Sequence, residues 1–301
     1  MSAQAGTDAD AGASSTTPTP QPAHGSASEP QPQPQPQPVP LTGPLGKCCT
    51  RTHSGVARGT VELIAGLATY VARPRPAPEG EEGRGKETRA ILYLADVFGP
   101  LYINAKLAMD YWAAHGYLVL GVDYFEGDSA AHHRGEEGWD VDEWVVPFRT
   151  SAARITPPWI EAVRETYGAC AHLSDSCQTI LGYCFGGPFV LDLLATDWVA
   201  AGAIAHPAFL DEGHFRRLKS EHRPCVLHET TQDDFTFPSA ARRRAEDIMV
   251  EQKATYYIQI FSGAFHGFAT RPDPSLRAER WAKEESARAV LQWFGHHAQD
   301  E

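Results

Sequence analysis

The chain has 301 residues, is 42% hydrophobic and carries a formal net charge of -12 at pH 7. That excess of negative charge argues against nucleic acid and anionic membranes as partners. No run reaches the roughly 18 apolar residues of a membrane helix, and the N-terminus lacks the basic flank and apolar run of a secretory leader, so the expectation is a soluble, cytoplasmic protein. Residues 1–46 hold 10 of the 23 prolines, no Lys or Arg, and none of the Cys, Trp, Tyr or Phe. Such a stretch cannot bury a core and reads as a disordered Pro/Gln-rich tail. Its Gln-Pro alternation at residues 31–38 favours an extended polyproline spacer, and docking into a partner's aromatic groove is the one binding role it offers. Residues 47–301 read as a single folded domain. The six cysteines show neither disulfide density nor paired metal-ligand spacing, so reduced thiols are the default.

In that domain short apolar runs alternate with segments of helical period, the sign of an α/β fold with a mostly parallel sheet flanked by helices. Residues 61–71 predict an entry strand or hairpin, and residues 90–98 and 117–124 are continuous apolar runs typical of strands covered on both faces. A helix is expected between them over residues 104–115, with Leu107, Ala108, Tyr111 and Trp112 on one side and Gly116 ending it. Residues 126–151, rich in Asp, Glu, Gly, His and Trp, read as a long binding loop or lid. Thr156 and Pro157 look like the cap and first turn of a helix reaching Tyr167. Strands follow at residues 178–184, 201–206, 224–229 and 255–261, and helices at residues 187–195, 212–219 and 239–250. A last helix, capped by Asp273 with Pro274 at its first position, is expected to bury Leu276, Trp281, Val290, Leu291 and Phe294 and to stop at Gly295.

Residues 181–187 read L-G-Y-C-F-G-G where a strand ends and a helix begins. This is the nucleophile-elbow pattern, with Cys184 in the place more often held by Ser. Its spacing has a steric cause, because the chain turns within about one residue and Gly182, Gly186 and Gly187 remove the side chains that would collide. At a helix N-terminus the dipole and free N–H groups favour a thiolate. A thiol also needs a base, and the order of such sites places an acid after a later strand and a His after the last one. His266, in G-A-F-H-G-F, fits the base; Asp233 and Asp234 both fit the acid.

The chain from Cys48 to Phe294 resembles the dienelactone hydrolase (carboxymethylenebutenolidase) family of the α/β-hydrolase superfamily. The resemblance is carried by the Cys-Cys start, L-A-T-Y-V-A-R-P from Leu67, D-V-F-G from Asp96, residues 116–125, G-Y-C-F-G-G, His206-Pro207, D-F-T-F-P from Asp234 and H-G-F-A from His266. It implies an α/β-hydrolase fold and a Cys-His-Asp hydrolase that opens a small lactone or enol ester through an acyl-thioester, of the kind that turns dienelactone into maleylacetate, with no cofactor and no metal. The family's acid stands four residues before a proline, which selects Asp234 ahead of Pro238. By the same resemblance the oxyanion donors are the backbone N–H groups of Phe185 and Val97. Asp96 stands where bacterial members have Glu, a carboxylate that helps activate the thiol. Its other reading is a carboxylate closing the turn after the strand. Arg271 stands near the place of an arginine that clamps a substrate carboxylate, one residue further from the His than in the bacterial pattern; a surface ion pair is the competing reading.

The other conspicuous residues have plainer readings. The pairs His132-His133 and His296-His297 lack second partners at metal-ligand spacing, and His206-Pro207 reads as a structural turn. Cys48, Cys49, Cys170, Cys177 and Cys225 read as packed or near-surface thiols. Trp139, Trp144 and Trp159 fit a cleft wall or ordinary core. A thioesterase or carboxylesterase on the same fold is the nearest alternative activity, and a non-hydrolytic thiol-based binding or redox module the alternative of another class.

Overall fold

The computed structural model describes Leu41 and residues 54–74, 89–168, 178–218 and 225–297. The Gln-Pro repeat, Cys48, Cys49, Cys170 and Cys177 lie outside the described residues. Leu41, within the stretch read as tail, is buried and its N–H donates to the Leu210 carbonyl at 2.8 Å.

The chain enters through an antiparallel hairpin, β1 (Thr60–Ile64) and β2 (Leu67–Ala72). Ala65 and Gly66 both have positive φ, 50° and 78°, as a two-residue turn matched to strand twist requires. Strands β3 (Arg89–Leu94), β4 (Tyr117–Val122), β5 (Gln178–Tyr183), β6 (Ala201–Ala205), β7 (Cys225–Thr231) and β8 (Thr255–Phe261) follow. Among the described residues all eight form one sheet in the order β1-β2-β4-β3-β5-β6-β7-β8. From β4 to β8 every neighbouring pair is parallel. Burial explains the composition: β4 and β5 are buried along their whole length, so both faces are apolar and no alternation shows.

Helices cover both faces. One core contains Ala105, Met109, Trp112 and Ala113 of α1 (Ile103–Ala114) with Ala282, Ala289, Val290 and Phe294 of α6 (Arg277–His297). The other contains Val145, Ala152, Trp159, Ile160 and Val163 of α2 (Val141–Val163), Val190, Leu191 and Leu194 of α3 (Gly187–Leu194), and Ala241, Ala245, Ile248 and Met249 of α5 (Ser239–Glu251). The short α4 (Glu212–Arg216) is held by a capping box between Asp211 and His214.

Three expectations fail in this region. The irregular stretch ends at Asp140, whose carboxylate accepts the N–H groups of Asp142 and Glu143 and starts a 23-residue helix, so Thr156 is a buried interior residue of α2 and not its cap. Pro147, Pro157 and Pro158 are tolerated inside this helix because they and the residues four before them, Glu143, Ala153 and Arg154, are exposed, leaving the orphaned carbonyls to water. The last helix starts at Arg277 and runs through Gly295 to His297. Asp273 instead closes a turn, accepting from Ser275 N at 2.9 Å and Ser275 Oγ at 2.6 Å, while Leu276 and Trp281 are 44% and 54% exposed. In α1 the buried stripe is turned from the expected one, and Tyr111 is exposed.

Beneath the site, Glu229 on β7 is wholly buried; its Oε2 accepts from Ser286 Oγ at 2.6 Å and its Oε1 has no hydrogen-bond partner. Burial pushes this carboxyl from the ordinary 4.5 up to about 8. A raised carboxyl favours the fold fully below the ordinary value, and that contribution is lost as pH rises towards 8. Glu229→Gln removes the loss, so denaturant unfolding between pH 5 and 8 should show the variant gaining on the wild type, by up to about 4 kcal/mol at the alkaline end. A gap independent of pH would contradict this assignment.

Candidate active site

The loops that leave β3, β5, β6, β7 and β8 gather at the C-terminal edge of the sheet, where open parallel sheets place their sites. At the end of β5 the chain turns through a single 3-10 turn, Cys184–Gly186, into α3. Cys184 is buried and left-handed, with φ +48°, a conformation that strains a residue bearing a β-carbon. The glycines behave as their spacing predicts. A β-carbon on Gly182 would stand 2.6 Å from Val190 Cγ2 and 2.7 Å from the Gly186 carbonyl oxygen, and one on Gly186 would collide with the Leu94 carbonyl oxygen. Leu94 is also the register partner of Gly182. The elbow and the loop carrying Asp96 and Val97 therefore start side by side.

His266 lies in the loop after β8 and Asp234 in the loop after β7. Both are buried, and His266 Nδ1 stands 3.1 Å from Asp234 Oδ1 and 3.2 Å from Oδ2. Asp233, its neighbour, is exposed. Burial alone would raise the Asp234 carboxyl, but the hydrogen bond and positive charge of His266, with the Thr236 hydroxyl, hold it down at about 2. Asp234 also closes its own turn, accepting from Thr236 N at 2.9 Å and Phe237 N at 3.3 Å. His266 Nε2 is buried and makes no hydrogen bond, so one imidazole nitrogen is engaged by Asp234 while the other stands open.

One turn links all three residues, reaching Asp234 through Thr236. Ala208 N donates to the Cys184 carbonyl at 3.0 Å. The Pro207 carbonyl accepts from Thr236 Oγ1 at 2.8 Å, and that hydroxyl lies 2.7 Å from Asp234 Oδ1 and 3.0 Å from His266 Nδ1. The His206 ring packs edge-on against His266, with centroids 4.9 Å apart. His206 is wholly buried and neither of its ring nitrogens is hydrogen-bonded. Burial, helped by the charges of His266 and Arg271, pushes it well below the usual histidine range, so it is neutral. His206 and Phe209 both have positive φ, 38° and 59°. The sequence reading assigned this turn a structural part and gave Thr236 none; the trace it left is the D-x-T-x-P pattern, in which a carboxylate closes a tight turn.

Asp96 and Arg271 meet. Asp96 is buried, its Oδ1 accepting from Phe98 N at 2.9 Å and its Oδ2 from Thr270 Oγ1 at 2.9 Å and from Arg271 Nη1. Arg271 is buried beside it with its guanidinium 4.2 Å from the centre of the Phe98 ring. Asp96 thus closes the turn after β3, and the ion pair lies in the interior, not on the surface. Val97 and Phe185 are buried, and the Val97 carbonyl accepts from Ala130 N at 3.0 Å. Among the described residues no group of three or more His, Cys, Asp or Glu is placed to hold a metal ion, and no helix is long and apolar enough to cross a membrane.

A mostly parallel sheet with helices on both faces and a strained elbow at the end of a central strand define an α/β hydrolase. The profile of the dienelactone hydrolase family matches residues 68–298, and the chain belongs to that family of hydrolases acting on ester and lactone bonds. Dienlactone hydrolase 1 of Gibberella moniliformis is 33% identical over 261 residues, covering 84% of this chain and 94% of the relative. Hydrolase pyvD of Aspergillus violaceofuscus is 32% identical over 262 residues, covering 84% and 97%. Among solved structures, a dienelactone hydrolase-like promiscuous phosphotriesterase, P91, from metagenomic libraries superposes with a TM-score of 0.58 at 18% identity, covering 80% of this chain and 98% of that one.

Removing one member of a buried ion pair leaves an uncompensated charge. Arg271→Met should destabilise the protein by about 3–5 kcal/mol, and adding Asp96→Asn should recover a large part of that loss. Urea unfolding of the single and double variants measures it, and equal losses in both would show that the pair does not hold these loops.

Proposed function

We propose that the chain hydrolyses a small lactone or activated ester, dienelactone being the family's namesake, through a covalent thioester at Cys184. The observation that carries this reading is the asymmetry of His266, with Nδ1 on the buried Asp234 and Nε2 open, linked by one turn to the elbow that bears the thiol.

In the proposed cycle His266 Nε2 accepts the Cys184 proton and the sulfur attacks the carbonyl carbon. The tetrahedral oxyanion takes hydrogen bonds from the N–H groups of Phe185 and Val97, whose segments leave adjacent strands. Collapse breaks the C–O bond, and the leaving oxygen takes the proton from His266. With a lactone that oxygen stays tethered to the acyl chain. Water, giving its proton to His266, then attacks the thioester carbonyl, and the departing thiolate recovers that proton as the acid leaves. Asp234, held ionised at about 2, keeps the Nδ1 proton facing it and offsets the imidazolium charge in both halves of the cycle. Asp96 is assigned a supporting part: its contacts fix the loop that carries Val97.

Purified protein should turn over p-nitrophenyl acetate or dienelactone, and Cys184→Ala should abolish that turnover while remaining folded. Asp234→Asn should lower kcat about a thousandfold, whereas Asp233→Asn should change it less than about twofold. Turnover that survives Cys184→Ala would overturn the proposal.

A further inference from the structure

Asp234 closes a tight turn on itself, and that turn decides where Thr236 goes. Accepting the Thr236 N–H at 2.9 Å and the Phe237 N–H at 3.3 Å, the carboxylate folds the second residue after it back against its own oxygens. Thr236 is wholly buried there, and its Oγ1 has three polar neighbours: Asp234 Oδ1 at 2.7 Å, the Pro207 carbonyl oxygen at 2.8 Å and His266 Nδ1 at 3.0 Å.

A hydroxyl carries a single proton, and this limits what each contact can be. Nδ1 faces an ionised carboxylate at 3.1 and 3.2 Å and therefore carries a proton itself. Towards Nδ1 the hydroxyl can only accept. Its own proton is left for Asp234 Oδ1 or for the Pro207 carbonyl, and in either position a lone pair stays turned to Nδ1. The bond to Pro207 ties this oxygen to the turn whose next residue, Ala208, donates to the Cys184 carbonyl at 3.0 Å. The link is stiff, because a β-branched side chain has few χ1 choices. An aliphatic side chain of the same shape would leave Nδ1 with the carboxylate alone and would take a buried donor from Pro207.

We propose that Thr236 is a positioning residue of the acid–base pair: its hydroxyl oxygen accepts the His266 Nδ1 proton alongside Asp234 and, anchored to the Pro207 carbonyl, sets the angle of the imidazole that serves Cys184. Thr236 acts through His266 and does not meet the substrate. This inference rests on the hydrolase reading above.

The test measures kcat and KM for p-nitrophenyl acetate in the full-length wild type, Thr236→Val and Thr236→Ser, with thermal melting as the check on folding. It also follows the downfield proton resonance of His266 Nδ1, assigned by its absence in His266→Gln. Thr236→Val should lower kcat about tenfold with KM changed less than about twofold, and should shift the Nδ1 resonance. Thr236→Ser, which keeps the hydroxyl, should stay within about threefold of the wild type and keep the resonance in place. If Thr236→Val does not fold, Thr236→Ala takes its place in the same comparison. Equal losses in the hydroxyl-free and serine variants would overturn the inference by assigning the effect to lost packing. An unchanged kcat, or an unmoved Nδ1 resonance, in the folded hydroxyl-free variant would overturn it as well. Absence of any Cys184-dependent hydrolysis would overturn the parent reading and this one together, whereas the contrast between valine and serine bears on this inference alone.

Discussion

At Gly186 the backbone of the elbow lies so close to the end of β3 that a β-carbon would collide with the Leu94 carbonyl oxygen. Much of the site follows from that approach. It brings the first residues after β5 against the loop after β3 and forces Cys184 into a left-handed conformation. It also directs the Cys184 carbonyl to the N–H of Ala208 in the next loop. The strain of a non-glycine residue with positive φ, about 1 kcal/mol or more, is carried because the packing on both sides leaves the chain no relaxed path.

A second constraint acts across the sheet. The buried pair of Asp96 and Arg271 joins the loop after β3 to the loop after β8, 175 residues apart in the sequence. Taking both charges out of water opposes folding, and the hydrogen bonds from Phe98 N and Thr270 Oγ1, with the Phe98 ring beside the guanidinium, offset part of that cost. The pair thereby ties the loop after β3 to the loop after β8. Arginine suits that task because its planar group can stack and donate at once.

The elbow was legible because glycine spacing states a steric requirement directly, and the strands because burial on both faces produces unbroken apolar runs. Helix boundaries were less so. Three prolines concealed α2, since proline opposes a helix interior only where its missing hydrogen bond cannot be replaced, and the solvent side of a long helix replaces it. Asp273 and Pro274 imitated a helix start because a carboxylate that accepts from the N–H two residues on serves a simple turn equally well. Trp281 looked like core by its type, although an amphipathic helix can leave a large ring at its edge. The pairing of Arg271 was illegible in principle: whether an arginine serves the ligand or the protein depends on what faces it from a strand far away in the sequence.

The turn at residues 206–208 has a consequence for how this fold tolerates change in chain length. It touches the elbow that bears Cys184 through Ala208, the loop of Asp234 through Pro207 and the His266 ring through His206. Residue errors in most loops stay local, but an insertion here would shift three neighbours in a concerted way and could not be absorbed by any one of them. Past Ala130, whose N–H holds the Val97 carbonyl, the stretch leading to Asp140 reaches the site's outer aromatic wall, Trp139 against Trp144 and Trp144 against Phe125. Lengthening or shortening that segment would reshape the outer wall and leave Cys184, Asp234 and His266 in register. One end of the sheet therefore holds both a rigid gauge, whose length is fixed by its contacts with three other loops, and an adjustable frame, whose length can change at small geometric risk.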